Sequence, residues 1–274
     1  MGEVAAVFTY PLTGAHGVDH HEAPVPVLLG GLGGDRRFVL YNPATNERVG
    51  MKQYPRLTCL RAENTADGAL LVTSESPLPA DGGKFILSPM RGNVINVNEF
   101  GDRTPATDCG DYAAHFFSKF VDSDVRLAKK EWRWSRGDTV HASARRVAPI
   151  HIVNAASVEA LREGPKGVAV GPERFRPNLV VQGFEPLAEL NWRDTYLQIG
   201  NFAVRVTRAT ERCRVPGFDP DTGENLRDVP RLYKSFPHAN EDGTGSPVFG
   251  VYGYPVVKSV DTYVSKGDHV TVLR

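Results

Sequence analysis

Val147-Ala148-Pro149-Ile150-His151-Ile152-Val153 is a short apolar run that stops at Asn154. A run this short, rich in β-branched residues and closed by a turn former, reads as a strand. The same signature recurs at Val4–Tyr10, Arg37–Tyr41, Ala69–Thr73, Lys84–Leu87, Asn178–Val181, Phe202–Val206, Val248–Val251 and His269–Leu273. Gly (27) and Pro (20) punctuate the 274 residues between these runs. Several runs follow one another at about 8–12 residues or a little more, the spacing of a barrel or sandwich. Helical periodicity stands out in two places. Asp111–Val121 puts Tyr112, His115, Phe116 and Phe120 on one predicted face, with Thr107 or Asp108 as cap. Ser157–Leu161 follows Asn154 as a short helix, and Val49–Arg61 fits neither period cleanly. The predicted fold is therefore mostly β, a β-barrel with a few short helices. Pro77–Gly110 reads as loop-rich, and a boundary near residue 105 divides the chain into 1–105 and 106–274.

Hydrophobic residues make up 41% and charged residues 23%, enough apolar material for a packed core. Lys+Arg and Asp+Glu are each 32, so the chain carries no net charge. That excludes binding to nucleic acid by overall charge. The cations are 23 Arg and 9 Lys, and Arg is the better two-point grip for phosphate or carboxylate, although a GC-rich genome would give the same bias. Cys59, Cys109 and Cys213 are widely spaced, with no Cys-x-x-Cys pair, so neither a disulfide framework nor a structural zinc site is expected. The N-terminus lacks a basic region followed by a long apolar run, and no stretch reaches the length of a membrane helix. A cytoplasmic protein that does not engage a membrane is the expectation.

Short motifs fall in a fixed order along the chain: Tyr10-Pro11, Gly31-Leu32 with Asp35-Arg36-Arg37-Phe38, Tyr54-Pro55-Arg56-Leu57, Asp108-Cys109-Gly110, Phe175-Arg176-Pro177-Asn178, Leu197-Gln198-Ile199-Gly200, Arg212-Cys213, Asp219-Pro220-Asp221-Thr222-Gly223, Ser246 through Tyr252, and Lys266-Gly267-Asp268-His269-Val270. Together they resemble the MOSC superfamily, in its architecture of a MOSC N-terminal β-barrel followed by a MOSC domain. The resemblance implies a pterin–molybdenum cofactor between the two parts, independent of pyridoxal phosphate. Cys213 matches the cysteine whose thiolate ligates the metal. Arg36 and Arg176 match the phosphate-gripping arginines, and Asn178, Arg212 and Tyr252 fall on pocket motifs. Three pocket segments depart from the family pattern. A Lys-Ser pair is replaced by Thr13-Gly14, an Asp-Thr-Ser-Pro loop by Arg146-Val147-Ala148-Pro149, and a Ser by Glu211; Thr210 stands where the family has another Cys. Arg145 or Arg146 is placed to replace the lost lysine charge.

The same residues have readings of their own. Cys213 lies between Arg212 and Arg214, and flanking positive charge favours a thiolate, the form that binds metals or attacks sulfur. Cys59 reads as core packing. Cys109 is structural, or activated by the helix that starts beside it. Arg36 and Arg37 follow a glycine-rich turn that lets backbone approach an anion. Asp219–Gly223 reads as a turn. His16, His20 and His21 read as surface histidines, His151 as a satisfied core histidine, and Trp132 and Trp134 as packing. The resemblance implies an oxidoreductase acting on small N-hydroxylated substrates, with electrons from separate redox proteins. The alternatives are a metal-free sulfur carrier using a Cys213 persulfide, and a pocket repurposed for another small ligand.

Overall fold

A computed structural model describes residues 1–65, 68–74, 84–87, 92–130, 149–162, 170–225, 236–240, 243–259 and 261–273. Seven strands close into a barrel in the order Leu179–Gln182, Ile150–Asn154, Val248–Val256, Phe202–Glu211, Tyr196–Ile199, His269–Leu273 and Gly2–Thr9, the last pairing back onto the first. The barrel is filled from alternating positions, among them Val4, Val7, Ile150, Ile152, Leu197, Ile199, Val204 and Val206. Closure leaves no unpaired edge between these seven strands.

The run around His151 supplies one of these strands, with Pro149 just before it and Val147 and Ala148 outside the described residues. All five of its residues are buried. Ile150 and Ile152 face the barrel interior. Val153 packs outward into a second cluster with Val158 and Leu161 of the helix Ala155–Arg162, and with Phe175, Phe236 and Phe249. A strand covered on both faces loses its polar alternation, which is why it reads as an unbroken apolar run. It pairs in parallel with Leu179–Gln182, and the helix Ala155–Arg162 lies in the connection, as a parallel crossover requires.

The other part has its own core. The strands Val94–Glu99, Asp102–Asp108, Arg126–Lys130, Phe38–Tyr41 and Arg48–Val49 form one antiparallel sheet; Leu60–Asn64, Leu70–Ser74 and Lys84–Leu87 form another. The stretch predicted as loop thus carries three strands. Pro105 is accommodated because the neighbour Arg126–Lys130 pairs only from Ala106 onward, so no ladder bond is lost on that side. Residue 105 falls inside a strand, and Gly2–Thr9 belongs to the seven-stranded barrel, so the two cores are interleaved in sequence. Val49–Arg61 resolves into the end of a strand, a turn and a 3₁₀ helix, Pro55–Cys59, begun by its proline.

The long helix spans Gly110–Val121 and buries Ala113, Phe116, Phe117 and Phe120. The predicted face is corrected here: Tyr112 is 61% exposed and His115 is exposed. Ala113 begins the true i, i+3, i+4, i+7 stripe, and its small side chain lets the helix sit close to the sheet. Cys109 stands at the N-cap without a side-chain capping bond, and Asp108 just before it accepts a hydrogen bond from the Gly110 N–H (2.8 Å). It also accepts from the Tyr41 hydroxyl (2.6 Å) and from Arg126 Nε and Nη2 (2.8 and 2.7 Å). Burial works against the Asp108 charge, but Arg126, Tyr41 and the Gly110 N–H outweigh it and hold its carboxyl down to about 2. A carboxyl lowered by folding stabilises above its unfolded value near 4 and stops doing so as pH falls through about 2. Arg126 is 27% exposed, so the gain is discounted to about 1 kcal/mol. Asp108→Asn should lower the unfolding free energy at pH 7, and the gap to wild type should close between about pH 4 and pH 2. A gap unchanged across that window would remove the carboxylate from the explanation.

Candidate functional site

Tyr10, just after the strand Gly2–Thr9, is the post around which the site is built. Its N–H donates to Asp35 Oδ1 (2.7 Å), and its carbonyl accepts from the Arg36 N–H (2.8 Å). Its hydroxyl donates to the Pro177 carbonyl (3.1 Å), so the buried ring is pinned at both ends. The Arg36 guanidinium lies 5.1 Å from the ring centroid and that of Arg176 4.1 Å, which are cation–π distances. Arg36 also pairs with buried Asp35 and donates to Asn178 Oδ1 (3.2 Å) and the Arg176 carbonyl (3.4 Å). Arg176 donates to the Ala15 carbonyl (2.6 Å). Both arginines hold left-handed backbone, at φ +49° and +55°. That conformation costs a non-glycine residue about 1 kcal/mol, and these contacts sustain it.

Asn178 links three strands. Its Nδ2 donates to the Phe8 carbonyl (3.2 Å), and its Oδ1 also accepts from the His151 N–H (3.2 Å). His151 extends the chain of contacts. Its Nδ1 lies 3.3 Å from the Arg176 carbonyl, which can only accept, so Nδ1 carries the proton. Nε2 is then left to accept from Arg212 Nη1 (3.4 Å). Burial, and then the Arg212 charge, push the imidazole well below its ordinary value, so it stays neutral in this role. Gly250, at φ +75°, leaves room for it: a Cβ there would stand 2.7 Å from His151 Nε2. Arg212 also donates to the Phe175 carbonyl (3.0 Å). Tyr252 lies beside His151, with ring centroids 5.1 Å apart and planes tilted by 46°. Cys213 follows Arg212 directly and is exposed.

The geometry therefore brings Arg36, Arg176, Asn178, Arg212 and Tyr252 into one network that ends beside Cys213. Arg146 lies outside the described residues, as do Arg145, Trp132 and Trp134. Arg36 keeps its charge firmly: burial opposes it, and the Asp35 carboxylate more than compensates. Arg176 is less well matched, and burial brings it down to about 10 despite the attraction of Tyr10. A guanidinium held in partial burial without a carboxylate of its own is prepared for an incoming anion.

Residues 137–271 match the MOSC domain, and residues 1–124 match the MOSC N-terminal beta barrel domain. The chain belongs to the MOSC superfamily. Mitochondrial amidoxime reducing component 2 of Macaca fascicularis is 30% identical to it over 94% of this chain and 80% of its own length. The Homo sapiens protein of that name is 29% identical with the same coverage. Molybdenum cofactor sulfurase of Danio rerio is 28% identical over 62% of this chain and 22% of its own.

Two residues of this MOSC site escaped the sequence reading. Tyr10 was visible as a motif but not as the ring between two arginines; His151 is the satisfied core histidine expected, within reach of the pocket, but its place as the link from Arg176 to Arg212 was not foreseen. Both pairings join residues more than twenty positions apart, which spacing cannot reveal. The remaining candidates of the MOSC chain are accounted for locally. Asp219 accepts from the backbone N–H groups of Asp221 and Thr222 (3.1 and 3.0 Å), a turn as expected, and Asp221 reaches Arg61 and His16 across the junction. His20 contacts the Thr9 hydroxyl (2.8 Å) and His21 faces Asp19 (3.2 Å). Among the described residues, no group of three or more His, Cys, Asp or Glu could hold a metal ion, and no helix is long and apolar enough to cross a membrane.

Burial pushes the Cys109 thiol up to about 12, with Asp108 adding to it, so the activated reading fails for that cysteine. Cys59, read as core packing, is half-buried. Arg212 bonds to His151 and the Phe175 carbonyl, and Arg214 to the Lys52 carbonyl. Cys213 is the exposed thiol of the three. Alkylation of cofactor-free protein at neutral pH should mark Cys213 first and Cys109 last by mass spectrometry; earlier labelling of Cys109 would contradict this packing.

Proposed function

We propose that this protein is a molybdenum-cofactor-dependent oxidoreductase acting on small N-hydroxylated or related substrates. The carrying observation is the unbroken network from the Arg36–Tyr10–Arg176 stack, through Asn178, His151 and Arg212, to exposed Cys213. The residues present suit a pterin cofactor ending in phosphate. Arg36 and Arg176 would hold the anionic end, and the Cys213 thiolate would ligate the metal. When bound, the group would supply two-electron chemistry coupled to oxygen-atom exchange. Asn178 and His151 keep both arginine segments in register, and neutral His151 adds no charge to a site already rich in cations. The names of its relatives, amidoxime reducing components among them, support this reading. In this reading the electrons would come from separate redox proteins. The protein would then work in the cytoplasm on a small molecule, without nucleic acid or membrane.

A sulfur carrier using a Cys213 persulfide is the second reading. It is favoured by the exposure of that thiol and by the sulfurase relative. The two separate in one assay. Protein from a cofactor-competent host, given a chemical electron donor, should reduce an aromatic amidoxime to the amidine at a rate that tracks its molybdenum content. Loaded protein that leaves the amidoxime unchanged would contradict the reductase reading.

A further inference from the structure

Two consecutive residues of the 3₁₀ helix Pro172–Phe175 hold the chain on both sides of Cys213. On the strand side, the Arg212 N–H donates to the Pro247 carbonyl (2.7 Å), and its guanidinium donates to the Phe175 carbonyl (3.0 Å). On the far side, Val215–Gly217 makes a short 3₁₀ turn. The exit of that turn is gathered onto one guanidinium. Arg174 Nη1 donates to the Phe218 carbonyl (3.1 Å) and the Pro216 carbonyl (3.4 Å), and Nη2 pairs with Asp219 Oδ2 (3.1 Å). The Arg174 side chain is only 4% exposed, and Pro216 and Phe218 are buried with it.

The loop has other ties. Thr58 Oγ1 reaches the Asp219 carbonyl at 3.4 Å, Arg214 donates to the Lys52 carbonyl, and Asp221 pairs with Arg61 and His16. Arg214 and Asp221 are exposed, and solvent weakens contacts of that kind. Arg174 is the buried cation of the set. A guanidinium this deeply buried is costly unless its donors are filled, and its planar fork fills them in one geometry. The loop leaving Cys213 therefore has its course set by a residue 39 positions earlier. We propose that Arg174 is a positioning residue for Cys213, fixing where the thiol stands by fixing the loop that leaves it. This deepens the function proposed above and rests on it only for what the thiol binds.

The test reads the thiol before any cofactor is bound. In cofactor-free full-length protein, a nitroxide attached to Cys213, its place verified by mass spectrometry, should give a broad, slow-motion spectrum in wild type. Arg174→Gln should turn most of it into a sharp, fast component. Arg174→Lys keeps a cation beside Asp219 and should recover part of the immobility. Asp219→Asn removes the ion pair alone and should act in the same direction by less; it decides the matter where Arg174→Gln does not fold. A fast spectrum in wild type, or a wild-type line shape in the folded variant, overturns the proposal. So does hydrogen exchange that speeds up over residues 214–219 while the label stays immobile, since Arg174 would then shape the turn alone. In protein from a cofactor-competent host, molybdenum per pterin should fall about tenfold or more in Arg174→Gln while the pterin stays. An unchanged ratio also overturns the proposal. Wild-type protein that takes up no molybdenum would count against the proposed function instead, and the label spectrum would decide the positioning role by itself.

Discussion

Cys213→Ala is expected to remove nearly all bound molybdenum while leaving the pterin in place. The thiolate is the only protein ligand proposed for the metal, whereas the anionic end of the cofactor is held elsewhere, by Arg36 and Arg176. Loss of a residue that merely orients a metal ligand costs about 10–100-fold in metal affinity or activity. Loss of the ligand itself should cost at least about a hundredfold. The substitution is structurally mild, because Cys213 is exposed just past the end of a strand, so the thermal midpoint should not move. Metal analysis and pterin fluorescence on the same sample read the two halves separately. Metal retained at the wild-type level in the alanine variant would remove Cys213 from the site.

The second large effect belongs to the arginine pair. Each makes a charge-assisted contact worth about 1.5–3 kcal/mol to a partly buried anion, so Arg36→Ala or Arg176→Ala should weaken cofactor retention about tenfold to a hundredfold. They share the Tyr10 ring, and Arg36 donates to the Arg176 carbonyl. Groups this closely coupled are not independent, and the double variant should lose less than the product of the single losses. Arg36→Ala carries a further cost, since it leaves buried Asp35 without its cation. That cost should make the fall in thermal midpoint larger in Arg36→Ala than in Arg176→Ala, which loses its contacts to Ala15 and the Tyr10 ring but strands no carboxylate. Strict additivity in cofactor retention would mean that the two arginines grip different ligands.

The barrel was legible because burial writes itself into sequence. The strands containing His151, Val180, Val204 and Val251 all announce themselves as short β-rich runs. Their order around the barrel was not legible, since Gly2–Thr9 pairs with Leu179–Gln182 across most of the chain's length. The face of the long helix was misread for a local reason. Alanine contributes little apolar signal, so Ala113 and Ala114 were passed over in favour of Tyr112, although their small size is what allows close packing. Arg36, Arg176 and Cys213 were named from their motifs, and the contacts around them were hidden. The link runs through Asn178, His151 and the Tyr10 ring, each of which also serves as ordinary core.

The account turns on whether residues from both interleaved cores hold one cofactor beside Cys213. The most direct measurement is the stoichiometry of molybdenum, pterin and polypeptide in wild-type protein purified from a cofactor-competent host. Equal amounts of all three are predicted, with the metal and the pterin eluting together on the folded chain. Folded protein from that host that carries neither would contradict the account, and would leave the arginine site to a different anion.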